Sequence, residues 1–337
     1  MLLKRNQTLW SLLWATVLVA MSSSRAFATD ITACGTFGAG SYTVINNIAS
    51  AGVNCLIFNA GPVTLELNGF TVSGSGPTNG VLATGIADVT VRNGTFKGFA
   101  RDIYATGSRA VVDGVRGITG GNNGFTLGDY GTVKNSMVAG HAVGAIIAGK
   151  IATIVGNTIS GTAGNLIVVS DGSLVKGNTL TQNSTAVGDS AIVISQNCKV
   201  LDNVISAGPG HPGAGVSAGN QNLISGNAIS GFQTGISTAI DNVISGNNSS
   251  GNASGITCTA NCLVSGNTSN DPYQVSCPGP VAITAAGSQV VNNTANGNCT
   301  GLEITCPSKV ADNTALSNFT NLSETGVGCL NSGNLAP

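Results

Sequence analysis

The sequence predicts an all-β chain wound as a parallel β-solenoid, and three observations carry that prediction. The first is recurrence: Gln221 to Ile236 reads QNLISGNAISGFQTGI, and DNVISGNNSSGNASGI and NCLVSGNTSN follow almost at once. Repetition at roughly 20–50 residues is the mark of stacked repeats. The second is alternation, since the short runs between recurrences switch between apolar and small or polar residues with period two. The third is composition: 48 residues are Gly, 4% are aromatic and 8% are charged. Val, Ile, Asn, Ser and Thr dominate the remainder, which suits short strands and tight turns and leaves little to build helices from.

The first residues carry Lys4 and Arg5, then an apolar run from Leu9 to Met21, then Ala26-Phe27-Ala28. This is the pattern of a secretory signal with a small-x-small cleavage site, so residues 1–28 are expected to be removed. The run is shorter than the ~20 apolar residues of a spanning helix, and no later stretch is long and apolar enough to cross a membrane. Without Lys4, Arg5 and Arg25, ten basic side chains stand against fourteen acidic ones, a formal charge of −4. Nucleic acid is therefore not an expected partner.

Residues 29–60 are read as an N-terminal cap and residues 61–337 as the solenoid. Anchors fall at Leu67, Val91, about Ala110, Val133, Ile154, Val175, Val200, Ile224, Ile244, Val264, Val290 and Val310, giving about twelve coils. From Ile154 onward an Asn follows each anchor by three: Asn157, Asn178, Asn203, Asn227, Asn247, Asn267, Asn293 and Asn313. At a bend, Asn tolerates the left-handed conformation, and its amide can bond to its counterpart one coil away. A structural ladder is expected. Between the anchors stand GAII, NLIVV, SAIVI, TGIS, SGIT, VAIT and GLEI, short strands with alternate residues inward. One coil cannot close a core alone, whereas stacked coils bury a continuous apolar column.

The V-x-x-N-x-[IVL] phrases, the G-[IV]-x-[IVT] strands and the opening ITACGTF…GSYTVINNI…NCLIF…VTLELNGFTVSG resemble the right-handed parallel β-helix proteins of the pectate-lyase-like superfold. The resemblance covers nearly all of the chain after residue 28. It implies a single right-handed parallel β-helix and a carbohydrate partner, and it leaves the activity open, because lyases, hydrolases, epimerases, adhesins and non-catalytic proteins share this fold.

All nine cysteines lie after residue 28, where an oxidising compartment favours pairing. Cys34 and Cys55 bracket the cap. Cys277 with Cys299, and Cys306 with Cys329, are each about one coil apart, while Cys258 and Cys262 flank one turn. Cys198 remains, as a buried thiol or an intermolecular link. Zinc is the competing reading of C-x-x-x-C, but no His is near. No metal or other cofactor is expected: acidic residues stand singly, which disfavours calcium, and Met137 is the lone thioether after processing, which disfavours copper.

The outward strand positions, where such proteins hold substrate, are read as Tyr104, Thr126, Ile147, Ile167, Val193, Ser217, Ser237, Thr257 and Glu303. One carboxylate among them does not make the acid–base pair that glycoside cleavage needs. Nor does the chain contain an Asp-Asp pair, Gly-His-Gly, Arg-x-Lys strand or Asp-Pro-His-Glu. Three clusters remain. Asp129, Lys150 and Asp171 alternate in sign in successive turns and read as a surface charge ladder. Arg92, Lys97 and Arg101, with Arg109, Arg116 and Lys134, make the early coils basic and are candidate ligand-binding residues, although Asp88, Asp102 and Asp113 are interspersed as solvated partners. Asp189 and His211 lie on a long connection rich in Pro and Gly that would hold them off the rod, and they are the weak catalytic candidates; His141 is expected to pack. The sequence thus points to a secreted or periplasmic β-helix that binds or scaffolds polysaccharide without catalysis, with a uronate lyase or epimerase as the alternative.

Overall fold

The computed structural model describes residues 28–184, 186, 188–270, 277 and 279–336, so all but the last residue of the expected signal segment lies outside the described residues. Each coil contributes three short strands to three faces. In one coil, Gly144–Ala148 lies on face 1, Thr153–Val155 on face 2 and Thr158–Ser160 on face 3. Each pairs in parallel with its equivalent in the next coil: Ile146 with Ile167, Ile154 with Val175, Ile159 with Leu180. About fourteen turns stack in this way. The column on face 2 reads Tyr42, Leu65, Val91, Val112, Val133, Ile154, Val175, Val200, Ile224, Ile244, Val264, Val290 and Val310, one inward residue per turn. At about 25 cal/mol per Å² of apolar surface removed from water, these columns supply the driving force for stacking.

Two anchors therefore differ from the sequence reading. Leu65 rather than Leu67, and Val112 rather than Ala110, pair with Val91; Leu67 and Ala110 are also buried, at the ends of the same strands. The turn count exceeds twelve because residues 29–60 already form coils: Thr29–Ile31 pairs with Gly40–Val44, and Gly35–Phe37 pairs with Leu56–Phe58. Phe37, Tyr42 and Phe58 pack with ring centroids 5.3–5.7 Å apart and plug this end of the interior.

The corners are set by residues with positive φ. Between faces 2 and 3 these are Asn135, Gly156, Gly177, Asp202, Gly226, Gly246, Gly266, Asn292 and Asp312. From Gly156 onward the ladder Asn is the next residue, so the left-handed role expected of it falls one position earlier, to Gly, Asp or Asn. The Asn itself turns inward. Asn227 shows the pattern: its Oδ1 accepts from the backbone N–H and the Nδ2 of Asn203, 3.0 and 2.9 Å, while its own Nδ2 donates to Asn247 Oδ1 at 2.9 Å and to the Val200 carbonyl at 2.9 Å. The run from Asn157 to Asn313 is continuous, and Asn334 extends it by one rung. Every rung from Asn157 to Asn313 is buried.

A second polar column lines the corner between faces 1 and 2. Ser173, Asn222, Asn242, Ser288 and Ser308 each accept a backbone N–H from the preceding coil. Cys198 occupies one rung of it: its N–H donates to Asn222 Oδ1 at 2.8 Å and its thiol to the Ser170 carbonyl at 3.2 Å. Its burial as a free thiol follows from standing where neighbouring coils place Ser or Asn. The other eight cysteines pair as Cys34–Cys55, Cys258–Cys262, Cys277–Cys299 and Cys306–Cys329. Four disulfides fit an extracytoplasmic, oxidising compartment. No helix among the described residues is long and apolar enough to cross a membrane.

Candidate functional site

Face 1 presents one outward side chain per coil in strict register: Ile57, Leu82, Tyr104, Thr126, Ile147, Val168, Val193, Ser217, Ser237, Thr257, Thr284 and Glu303. Val168 replaces the expected Ile167, which is fully buried. In NLIVVS four apolar residues run together, so alternation alone does not fix the phase; pairing of Ile167 with Ile146 and Ile192 does. The face is apolar over the early coils and hydroxylic over the later ones. Its one aromatic, Tyr104, lies under the guanidinium of Arg101, whose Cζ is 4.9 Å from the ring centroid.

The three basic candidates are not brought into one patch. Arg101 opens its face 1 strand, Lys97 ends a face 3 strand across the corner from it, and Arg92 lies on face 2. There Arg92 pairs in register with Glu66 on one side and Asp113 on the other, and Lys134 follows Asp113 with an ion pair of 3.2 Å. Asp113 is slightly buried, yet Asn135, Lys134 and Arg92 hold its carboxyl below the ordinary range. This is an alternating charge ladder, and Arg92 stands between two carboxylates in it. Arg109 likewise holds Asp88 through two hydrogen bonds of 2.7 and 2.8 Å. Lys150 reaches Asp171 at 3.6 Å, and Asp129 accepts the Lys150 N–H, the surface ladder expected.

Asp189 and His211 do converge, but not as an exposed loop. His211 is 5% exposed and lies edge-on to Phe232, ring centroids 5.3 Å apart. The pairing of Val204–Ala218 with Ala228–Ile240 shifts register on both sides of His211, so the extra residues bulge the coil while the imidazole turns inward. Ser184 Oγ donates to Asp189 Oδ2 at 2.5 Å, and Gly213 N–H donates to His211 Nδ1 at 3.0 Å. Burial lowers the His211 pKa, opposed by Asp189 and the Ser184 carbonyl. The neutral ring with Nδ1 accepting carries its proton on Nε2, so it offers no free lone pair to a substrate proton.

His141 is buried as expected, and its partner was not foreseen: Asp102, read as a solvated charge, is fully buried and meets His141 Nε2 at 2.8 Å. The signal for it lay in the aligned strand phrases. Their second residue is Gly80, Gly124, Ala145, Leu166, Ala191, Gly215, Gly235, Gly255, Ala282 and Gly301, and Asp102 alone breaks that column.

Residues 143–295 match the family described as a right handed beta helix region. Among solved structures, the A-module of mannuronan C-5 epimerase AlgE6 from Azotobacter vinelandii aligns over 96% of this chain and 94% of its own, with 14% identity and a TM-score of 0.56. A double variant of the tailspike protein of E. coli bacteriophage HK620 aligns over 94% of this chain and 75% of its own, with 14% identity and a TM-score of 0.52. Another variant of that tailspike, in complex with a hexasaccharide, aligns over 95% and 73%, with 13% identity and a TM-score of 0.50. No curated protein matches the chain. The chain thus has a parallel β-solenoid fold, within which residues 143–295 match the right handed beta helix region.

Proposed function

We propose that the protein is exported, to the periplasm or cell surface, and binds a polysaccharide lengthwise on face 1 without cleaving it. The observation that carries this reading is the unbroken outward row from Ile57 to Thr284, one apolar or hydroxylic side chain per coil at ~4.8 Å spacing. A rigid, shallow face of that kind offers a sugar chain many weak contacts. Tyr104 and Arg101 supply the stacking and cationic point on it, with Lys97 across the corner. Glu303 is the one carboxylate in the row among the described residues, and Thr284 and Ser323 flank it, so the paired carboxylates of a hydrolase are missing there. A tailspike of similar architecture that holds a hexasaccharide supports the reading by analogy of fold.

The test is a glycan screen on the purified protein, followed by turnover assays on every polymer bound. Binding without turnover, weakened about tenfold in the double variant Arg101→Ala, Tyr104→Ala, supports the proposal; tenfold corresponds to ~1.4 kcal/mol. Cleavage or epimerisation of a uronate polymer, abolished by His211→Ala or Asp189→Ala, overturns it in favour of an enzyme.

A further inference from the structure

We infer that Asp102 and His141 form an internal one-proton clamp that reaches across the layer of backbone lying between them at the corner of faces 3 and 1. Backbone bonds in a solenoid join each coil only to its neighbours. This pair reaches further, because at the corner between faces 3 and 1 the backbone from Gly117 to Asn123 passes between Asp102 and His141, with Gly120 in register with His141 and Phe125 in register with both Ile103 and Ile146. The passage exists because glycines in that backbone leave it clear of side chains. A Cβ on Gly117 would stand 2.4 Å from Asp102 Oδ2, and one on Gly120 would stand 2.4 and 2.6 Å from His141 Cδ2 and Nε2.

Among the described residues nothing else charged faces the pair. Arg92 and Lys97 on the preceding coil, Arg101 beside Asp102, and Asp113 and Arg116 further along the same coil all sit at outward, exposed or half-exposed positions. Neither the strand Asn79–Leu82 nor the strand Met137–His141 adds a further titratable side chain. Asp102 Oδ1 and His141 Nδ1 have no hydrogen-bond partner among the described residues. With no external counter-charge, the pair is neutral only when it holds one proton beyond those of a carboxylate and a neutral imidazole. Losing that proton leaves a net negative charge in the core.

Burial pushes the Asp102 carboxyl up to about 6 from its ordinary 3.8, against the His141 hydrogen bond and charge, which lower it. A carboxyl raised in the folded state adds stability as pH falls through the folded value, and the gain is complete below the unfolded one. Between pH 7.5 and pH 5 the folding constant of the wild type should therefore rise about tenfold relative to that of Asp102→Asn, which lacks this carboxyl.

The experiment compares urea unfolding of wild type, Asp102→Asn and Gly120→Ala between pH 7.5 and 5. A rise in the wild type of about tenfold over Asp102→Asn, with the gain in Gly120→Ala beginning at a higher pH because the displaced imidazole no longer lowers the retained carboxyl, supports the clamp. Parallel pH profiles in all three overturn it. Should the variants fail to fold, the carboxyl carbon resonance of Asp102 in the wild type decides: titration near pH 6 supports the clamp, and titration in the ordinary range near pH 4 overturns it.

Discussion

At the scale of single residues, the same amide repeated in register does work that one copy could not. Asn227 satisfies Asn203 on one side and is satisfied by Asn247 on the other, with its Nδ2 also bonded to the Val200 and Ser225 carbonyls. Leu at this position would leave the Asn203 N–H without its acceptor in a buried column and cost its Nδ2 one of its partners. We expect Asn227→Leu to cost ~1–3 kcal/mol in urea unfolding, and an unchanged midpoint would contradict the ladder's importance. Cys198 permits a second residue-scale test. Burial raises its thiol pKa, and its environment is closed, so a thiol reagent should label it only after unfolding. Labelling of the native protein would show that this corner opens. The ladder was legible in the sequence because each rung must be the same residue at the same offset. The left-handed corner position was misread by one, because Gly, Asp and Asn share that duty and so leave no single-letter signature.

At the scale of the coil, the departures from regularity are where the sequence was least readable. The coil holding His211 contains extra residues rich in Gly and Pro, a composition that reads as an exposed connection, yet Phe232 in the next coil gives the imidazole an apolar surface to pack on. Asp102 was hidden for the opposite reason. Its neighbours in sequence, Arg101 and Tyr104, are outward, and only alignment of equivalent strands exposes it as an inward carboxylate. The disulfides act at this scale too, each of three joining residues 21, 22 or 23 apart, about one coil. Closing a loop of that length is worth ~3 kcal/mol in the chain-entropy model. Cys34→Ser with Cys55→Ser should therefore lower the unfolding midpoint of the first coils, which hydrogen exchange across Gly40–Val44 would register. Exchange there as slow as in the oxidised protein would mean that Phe37, Tyr42 and Phe58 hold this end unaided.

At the scale of the whole molecule, the rod separates two kinds of charge. Face 2 neutralises its ions within an alternating ladder, Glu66, Arg92, Asp113 and Lys134, whereas face 1 carries almost none. Grouping Arg92 with Lys97 and Arg101 by sequence proximity joined residues of three different faces, because a coil turns through all three within about twenty residues. Arg92→Ala should accordingly leave glycan affinity within about twofold while Arg101→Ala lowers it, a contrast that calorimetry on the bound polymer would measure. The most direct test of binding along face 1 is oxidative footprinting of the protein with and without that polymer. Protection concentrated on Leu82, Tyr104, Ile147, Val168 and Val193, with Val204 and Val243 on the other faces unchanged, is the result expected. Protection on faces 2 or 3 with face 1 still reactive would contradict it.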